Sequence, residues 1–118
     1  MRLALILTAI ELAAIPQVWA QQPEIPEIRN ISIAYGQCVV SYAKKYAKTR
    51  ELPVDIATAS FAWCFQERSA LSKALANEYS KSGLPQPDHV DAAMEATERD
   101  IQRAAIRAIF EKRYPEIK

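Results

Sequence analysis

Two cysteines, Cys38 and Cys64, stand nearly equidistant from a break at residues 49–52, and no other feature constrains the fold as much. Ahead of the break, Ile31, Tyr35, Cys38, Tyr42 and Tyr46 recur at helical spacing behind Asn30 as an N-cap. Lys44, Lys45 and Lys48 crowd toward the predicted C-terminus of this helix, where positive charge meets the negative end of its dipole. Pro53 suits the first position of a second helix, with Asp55 complementing the dipole in its first turn. That helix is predicted to run to about Ser82. Its inward stripe is Phe61, Cys64, Phe65, Arg68, Leu71, Leu75 and Tyr79, with Gln66, Glu67, Lys73 and Lys81 in water. Folded back on one another, the two helices hold each cysteine about 15 Å from the bend at about 1.5 Å per residue. Cys38 is therefore expected beside Cys64.

Whether that pair is oxidised depends on compartment. Residues 1–20 read as a secretory signal: Arg2, an apolar run from Leu3 to Ile15, a break at Pro16, and Val18-Trp19-Ala20 as a small-residue cleavage signal. The expected destination is the periplasm or the exterior, after cleavage near Ala20. Glu11 interrupts the apolar run and argues against a permanent span, which needs about 18 uninterrupted apolar residues. Two cysteines in an exported chain of this size predict a structural disulfide, closing a loop of about 26 residues and adding about 3 to 4 kcal/mol.

Removing residues 1–20 takes away only Arg2 and Glu11 among the charged residues. It leaves 98 residues with 14 Lys and Arg against 13 Asp and Glu. That balance offers no global attraction to nucleic acid or to an anionic membrane, so a charged contact must come from a local patch. Residues 21–29, with Pro23 and Pro26, read as a flexible lead-in, and 30–118 as one helical domain. Gly83 is expected as a left-handed C-cap of the second helix, with Pro85 and Pro87 barring its continuation. Asp88 opens a third helix reaching about Tyr114, whose core stripe is Val90, Met94, Thr97, Ile101, Ala105 and Ala108. The fold class expected is all-α: a three-helix bundle built on a disulfide-linked antiparallel hairpin.

Catalytic patterns are weak. His89, the only histidine, sits between Asp88 and Asp91, but acids at a helix start have a sufficient reason in the dipole. Neither a C-x-x-C-H haem motif nor a G-x-S-x-G elbow is present. Glu95 and Glu98 are candidates for an acid-base pair, although Glu95 with Arg99 is a simple i, i+4 ion pair. The tyrosine stripe reads as core more readily than as a ligand platform, and Arg68 would stack on Tyr35 or pair with an acid. Gly36 inside a helix suggests a close crossing beside the disulfide. The expectation is a protein without catalytic residues, metal or cofactor.

The candidate binding surface is on the third helix. Arg99, Arg103, Ile106, Arg107 and Phe110 gather opposite the core stripe, and a merely solvated face would not usually carry Ile and Phe. Arginine mixed with an aromatic residue suits an interface with a protein partner or a second copy of the chain. Nucleic acid is not expected, and a membrane surface ranks behind a protein partner.

Tyr35-x-x-Cys38, followed by Ile56, Ala57 and Ala59 leading to Cys64, resembles a pattern in small exported proteobacterial two-cysteine helical-hairpin proteins of unknown function. The resemblance covers the hairpin and implies a disulfide-linked helical fold. By compartment, size and helicity the chain is also similar in kind to periplasmic immunity proteins and acid-stress chaperones. The functional expectation is a non-catalytic exported interaction protein acting through its third helix, the alternatives being a periplasmic holdase or stress chaperone, or an immunity or inhibitor protein.

Overall fold

The structure, a computed structural model, describes residues 25–84 and 86–117. The expected signal segment and cleavage site, residues 1–20, therefore lie outside the described residues. The described chain is helical: α1 (Pro26–Lys45), α2 (Pro53–Trp63), α3 (Phe65–Lys81), α4 (Gln86–Arg113) and a final 3₁₀ turn, Pro115–Ile117. Among the described residues no helix is long and apolar enough to cross a membrane. Cys38 and Cys64 form a disulfide with their Cα atoms 6.1 Å apart. This bond belongs to the chemistry of an oxidising, extracytoplasmic compartment.

Prolines set the helix starts. Pro26 opens α1 behind Ile25, four residues before the expected cap at Asn30. A proline there loses no helical hydrogen bond, because the first amides of a helix have no acceptor. Pro53 opens α2 in the same way, with Asp55 in its first turn. Gly83, at φ 72°, ends the second segment as expected for a left-handed cap. Helix α4 begins at Gln86, so that Asp88 lies within its first turn.

The predicted second helix is broken at one residue. Cys64 has φ −95° and ψ 31°, and its amide is shared between the carbonyls of Ser60 and Phe61. Upstream, the hydroxyls of Thr58 and Ser60 donate to the carbonyls four residues back, at 2.8 and 2.7 Å. Such back-bonding competes with the regular ladder and bends helices. The bend changes which side chains point inward. Phe65, expected on the inward stripe, is 61% exposed, whereas Cys64, Leu71 and Leu75 are buried as expected.

Helix α1 packs against each of the other three helices, and α4 packs against α2 and α3. The buried line of α1 is Tyr35, Val39 and Ala43, continued past its end by Ala47. Of the five residues expected on one face, Tyr35 is fully buried and Ile31 and Cys38 pack against the core, whereas Tyr46 is exposed and Tyr42 lies at the edge. The two alanines explain the shift, because small side chains let a helix approach several neighbours closely. On α4, Val90, Met94, Ile101, Ala105 and Ala108 are buried as predicted, joined by Ile109.

Gly36 faces α4 without being forced to. A Cβ added there would lie 3.7 Å from Cγ1 of Ile101, an ordinary van der Waals contact rather than the tight crossing expected. Glycine inside a helix costs about 0.5 to 1 kcal/mol relative to alanine. Gly36→Ala is accordingly expected to raise stability by about that amount, which in a domain of this size raises the thermal midpoint by a few degrees. A fall in the midpoint would show that the α1–α4 contact does not admit the methyl group.

Candidate functional site

The outward side of α4 carries the predicted stripe. Arg99, Arg103, Arg107 and Phe110 are exposed there, while Ile106 is half-buried and packs against the core. Arg99 donates to Glu95 at 3.1 Å, as the i, i+4 spacing predicts, and Arg103 approaches Asp100 at 3.7 Å. Both pairs lie in water, where such contacts contribute little and leave the guanidinium groups free to exchange partners. Phe110, 48% exposed, stacks on Tyr114 with ring centroids 6.1 Å apart. Tyr114 thus extends the stripe beyond the residues read from sequence.

A second cluster joins three helices. Glu98 of α4 accepts a hydrogen bond from the buried Tyr35 hydroxyl of α1. It also accepts two from Arg68 of α3, Nε to Oε2 at 3.0 Å and Nη2 to Oε1 at 3.3 Å. Burial raises the Tyr35 phenol well above its ordinary value near 10, and the adjacent Glu98 acceptor and its charge push the same way. Arg68 is held still more firmly in its charged form, chiefly by the hydrogen bond to Glu98. A phenol kept protonated in this way is a hydrogen-bond donor, not a base or nucleophile, at neutral pH. Of the two partners foreseen for Arg68, an acid is the one found. Glu98 lines a shallow recess with Phe61, Glu95, Arg99 and Gln102, so one side of the carboxylate meets solvent.

The bend at Cys64 exposes a third feature. Trp63, 69% exposed, lies over Tyr42 at 5.5 Å, and Tyr42 over Tyr46 at 4.5 Å. Of the tyrosine stripe expected as core, Tyr35 is buried, whereas Tyr42 and Tyr46 belong to this row. The row runs along the edge of α1 beside the disulfide, with Lys45 over the Tyr46 ring at 5.7 Å. Glu67 approaches the two sulfurs, but each sulfur is bonded to the other, so neither is the thiolate that metal ligation needs. His89 is half-buried against the ring of Tyr79, at 5.5 Å.

Sequence periodicity also missed Arg113. From the end of α4 it donates to the carbonyls of Ala47, Thr49 (2.8 Å) and Glu51, fastening the turn between α1 and α2. The signal available was general: basic side chains near a helix C-terminus often bond nearby carbonyls, but nothing local names acceptors more than sixty residues away. No family model, curated protein or solved structure matches the chain.

Proposed function

We propose that this is an exported, non-catalytic interaction protein, a three-helix bundle in which α2 and α3 count as one bent helix packed as an antiparallel hairpin on α1. It engages a protein partner, or a second copy of itself, through the outward face of α4. The observation that carries this reading is the exposed combination of Arg99, Arg103 and Arg107 with the stacked Phe110 and Tyr114. Arginine and aromatic side chains supply most binding energy at protein interfaces, and a rigid helix presents them at little entropic cost. The disulfide and the Glu98 cluster hold the helices that support this face.

Arg103→Glu combined with Phe110→Ala is expected to abolish partner recovery by crosslinking from envelope extracts, and self-association in sedimentation, with the helical signal unchanged. Unchanged recovery and unchanged self-association would overturn the reading. A holdase reading draws on a different surface, the exposed Trp63 and Phe65. Suppression of client aggregation that depends on Trp63 and not on Phe110 would favour it.

A further inference from the structure

Although the chain is close to neutral, its positive charge is unevenly placed. Where α1 and α4 end, Lys44, Lys48 and Lys112 line a notch of about 480 Å³ together with Ala108, Pro115 and a single acid, Glu111. An adjoining hollow of about 620 Å³ shares Lys48, Lys112 and Pro115 and adds Arg50 and Tyr114. Lys44, Lys48, Arg50 and Lys112 form no ion pair with any described residue, whereas Arg99 and Arg103 on the α4 stripe each have a carboxylate. The helix dipoles account for a lysine near each C-terminus. They do not account for Lys48 and Arg50, which lie past the end of α1. Nor are these cations occupied with the free carbonyls of the turn, because Arg113 takes those of Ala47, Thr49 and Glu51.

One aromatic ring lines the hollow, and two exposed apolar side chains follow Arg50 by two and four residues in the chain. Leu52 in the turn and Val54 at the start of α2 are exposed, and Tyr114 forms part of the hollow's wall. Cations on long aliphatic stems next to protruding apolar groups match the boundary of a bilayer, where phosphates lie outside and acyl chains within. A soluble phosphate would use the cations and leave Leu52 and Val54 without a role. We propose that this end of the molecule docks on anionic phospholipid, with Lys44, Lys48, Arg50 and Lys112 holding headgroup phosphates while Leu52 and Tyr114 enter the interface. The docking surface shares Tyr114 with the α4 stripe but none of the stripe's arginines.

The test is flotation of the disulfide-intact protein with vesicles of phosphatidylglycerol and phosphatidylcholine, against vesicles of phosphatidylcholine alone. Binding is expected only with phosphatidylglycerol and should weaken as salt rises. Lys48→Glu with Lys112→Glu is expected to lower it by about thirty-fold or more, since each basic residue near an anionic surface contributes about five-fold. Arg103→Glu with Arg107→Glu, which makes the same change in net charge on the stripe, should leave it within about two-fold. Lys48→Gln with Lys112→Gln removes charge without reversing it and must act in the same direction if the first pair disturbs folding. Equal losses in the notch and stripe variants, equal binding to both vesicle types, or no vesicle binding would each overturn the proposal. So would saturation of the notch by inorganic phosphate, seen in amide shifts, without any vesicle binding.

Discussion

Removing the Cys38–Cys64 bond is expected to lower the free energy of unfolding by about 3.5 kcal/mol, the chain-entropy value for a loop of this length. The bond joins residues 26 apart and ties the bend between α2 and α3 to the middle of α1. In a domain whose whole stability is of the order of 5 to 15 kcal/mol, that loss is a large share. Cys64 is fully buried and Cys38 partly so, which makes alanine the better replacement: it leaves no new polar group in the core. The Cys38→Ala, Cys64→Ala variant should show a denaturant midpoint well below that of the oxidised protein and close to that of the reduced one. Trp63, next to Cys64 and the one tryptophan outside residues 1–20, provides a local fluorescence probe of the same transition. A midpoint that reduction leaves unchanged would mean that helix packing alone holds α1 against α2 and α3.

Much of this architecture could be read before any coordinates. Prolines, the capping glycine and the apolar period of α4 act within a few residues of one another, and so they identified the turn at 49–52, the cap at Gly83 and the buried Val90, Met94, Ile101, Ala105 and Ala108. What was not legible depends on partners far apart in the chain. On α1 the periodic residues Ile31, Tyr35 and Cys38 do meet the core, but Val39 and Ala43 beside them carry little periodic signal, and the small size of Ala43 suits a helix with three neighbours. The bend at Cys64 follows from back-bonded hydroxyls together with a tether to α1, and period alone does not reveal a single non-helical ψ. Glu98 reads from sequence as a candidate acid-base partner of Glu95, and only the packing brings Tyr35 and Arg68 to it. The basic notch was hidden by arithmetic, since a net charge near zero says nothing of where the unpaired charges collect. On the α4 stripe, Arg99, Arg103, Arg107 and Phe110 are exposed as predicted, while Ile106 turns inward because it lies nearest the packed side of the helix.

Glu98→Ala is expected to be the most damaging single change among the polar residues, at about 2 to 3 kcal/mol. It takes the acceptor from a Tyr35 hydroxyl whose residue is fully buried, and a buried donor left unpaired costs about 1 to 3 kcal/mol. Arg68 loses its partner too, but its side chain is half in water, so that part of the cost is small. Glu98→Gln, which retains an acceptor oxygen for Tyr35, should cost less than Glu98→Ala. In a Tyr35→Phe background the Glu98→Ala cost should shrink, because the orphaned hydroxyl is gone; equal costs in both backgrounds would show that the two residues are not coupled. The same phenol imposes a pH dependence. Its pKa in the folded protein is raised, first by burial and then by Glu98, so above about pH 10 the unfolded chain loses the proton while the folded one keeps it. The unfolded state then binds fewer protons, and stability falls with rising pH by up to about 1.4 kcal/mol per pH unit, having been unaffected by this group below the unfolded value. Denaturant midpoints between about pH 9 and 11 should decline more steeply for the native sequence than for Tyr35→Phe. Glu98→Ala should keep part of the decline, because burial, the larger cause, remains. An alkaline decline identical in the native protein and Tyr35→Phe would place the responsible proton on another group.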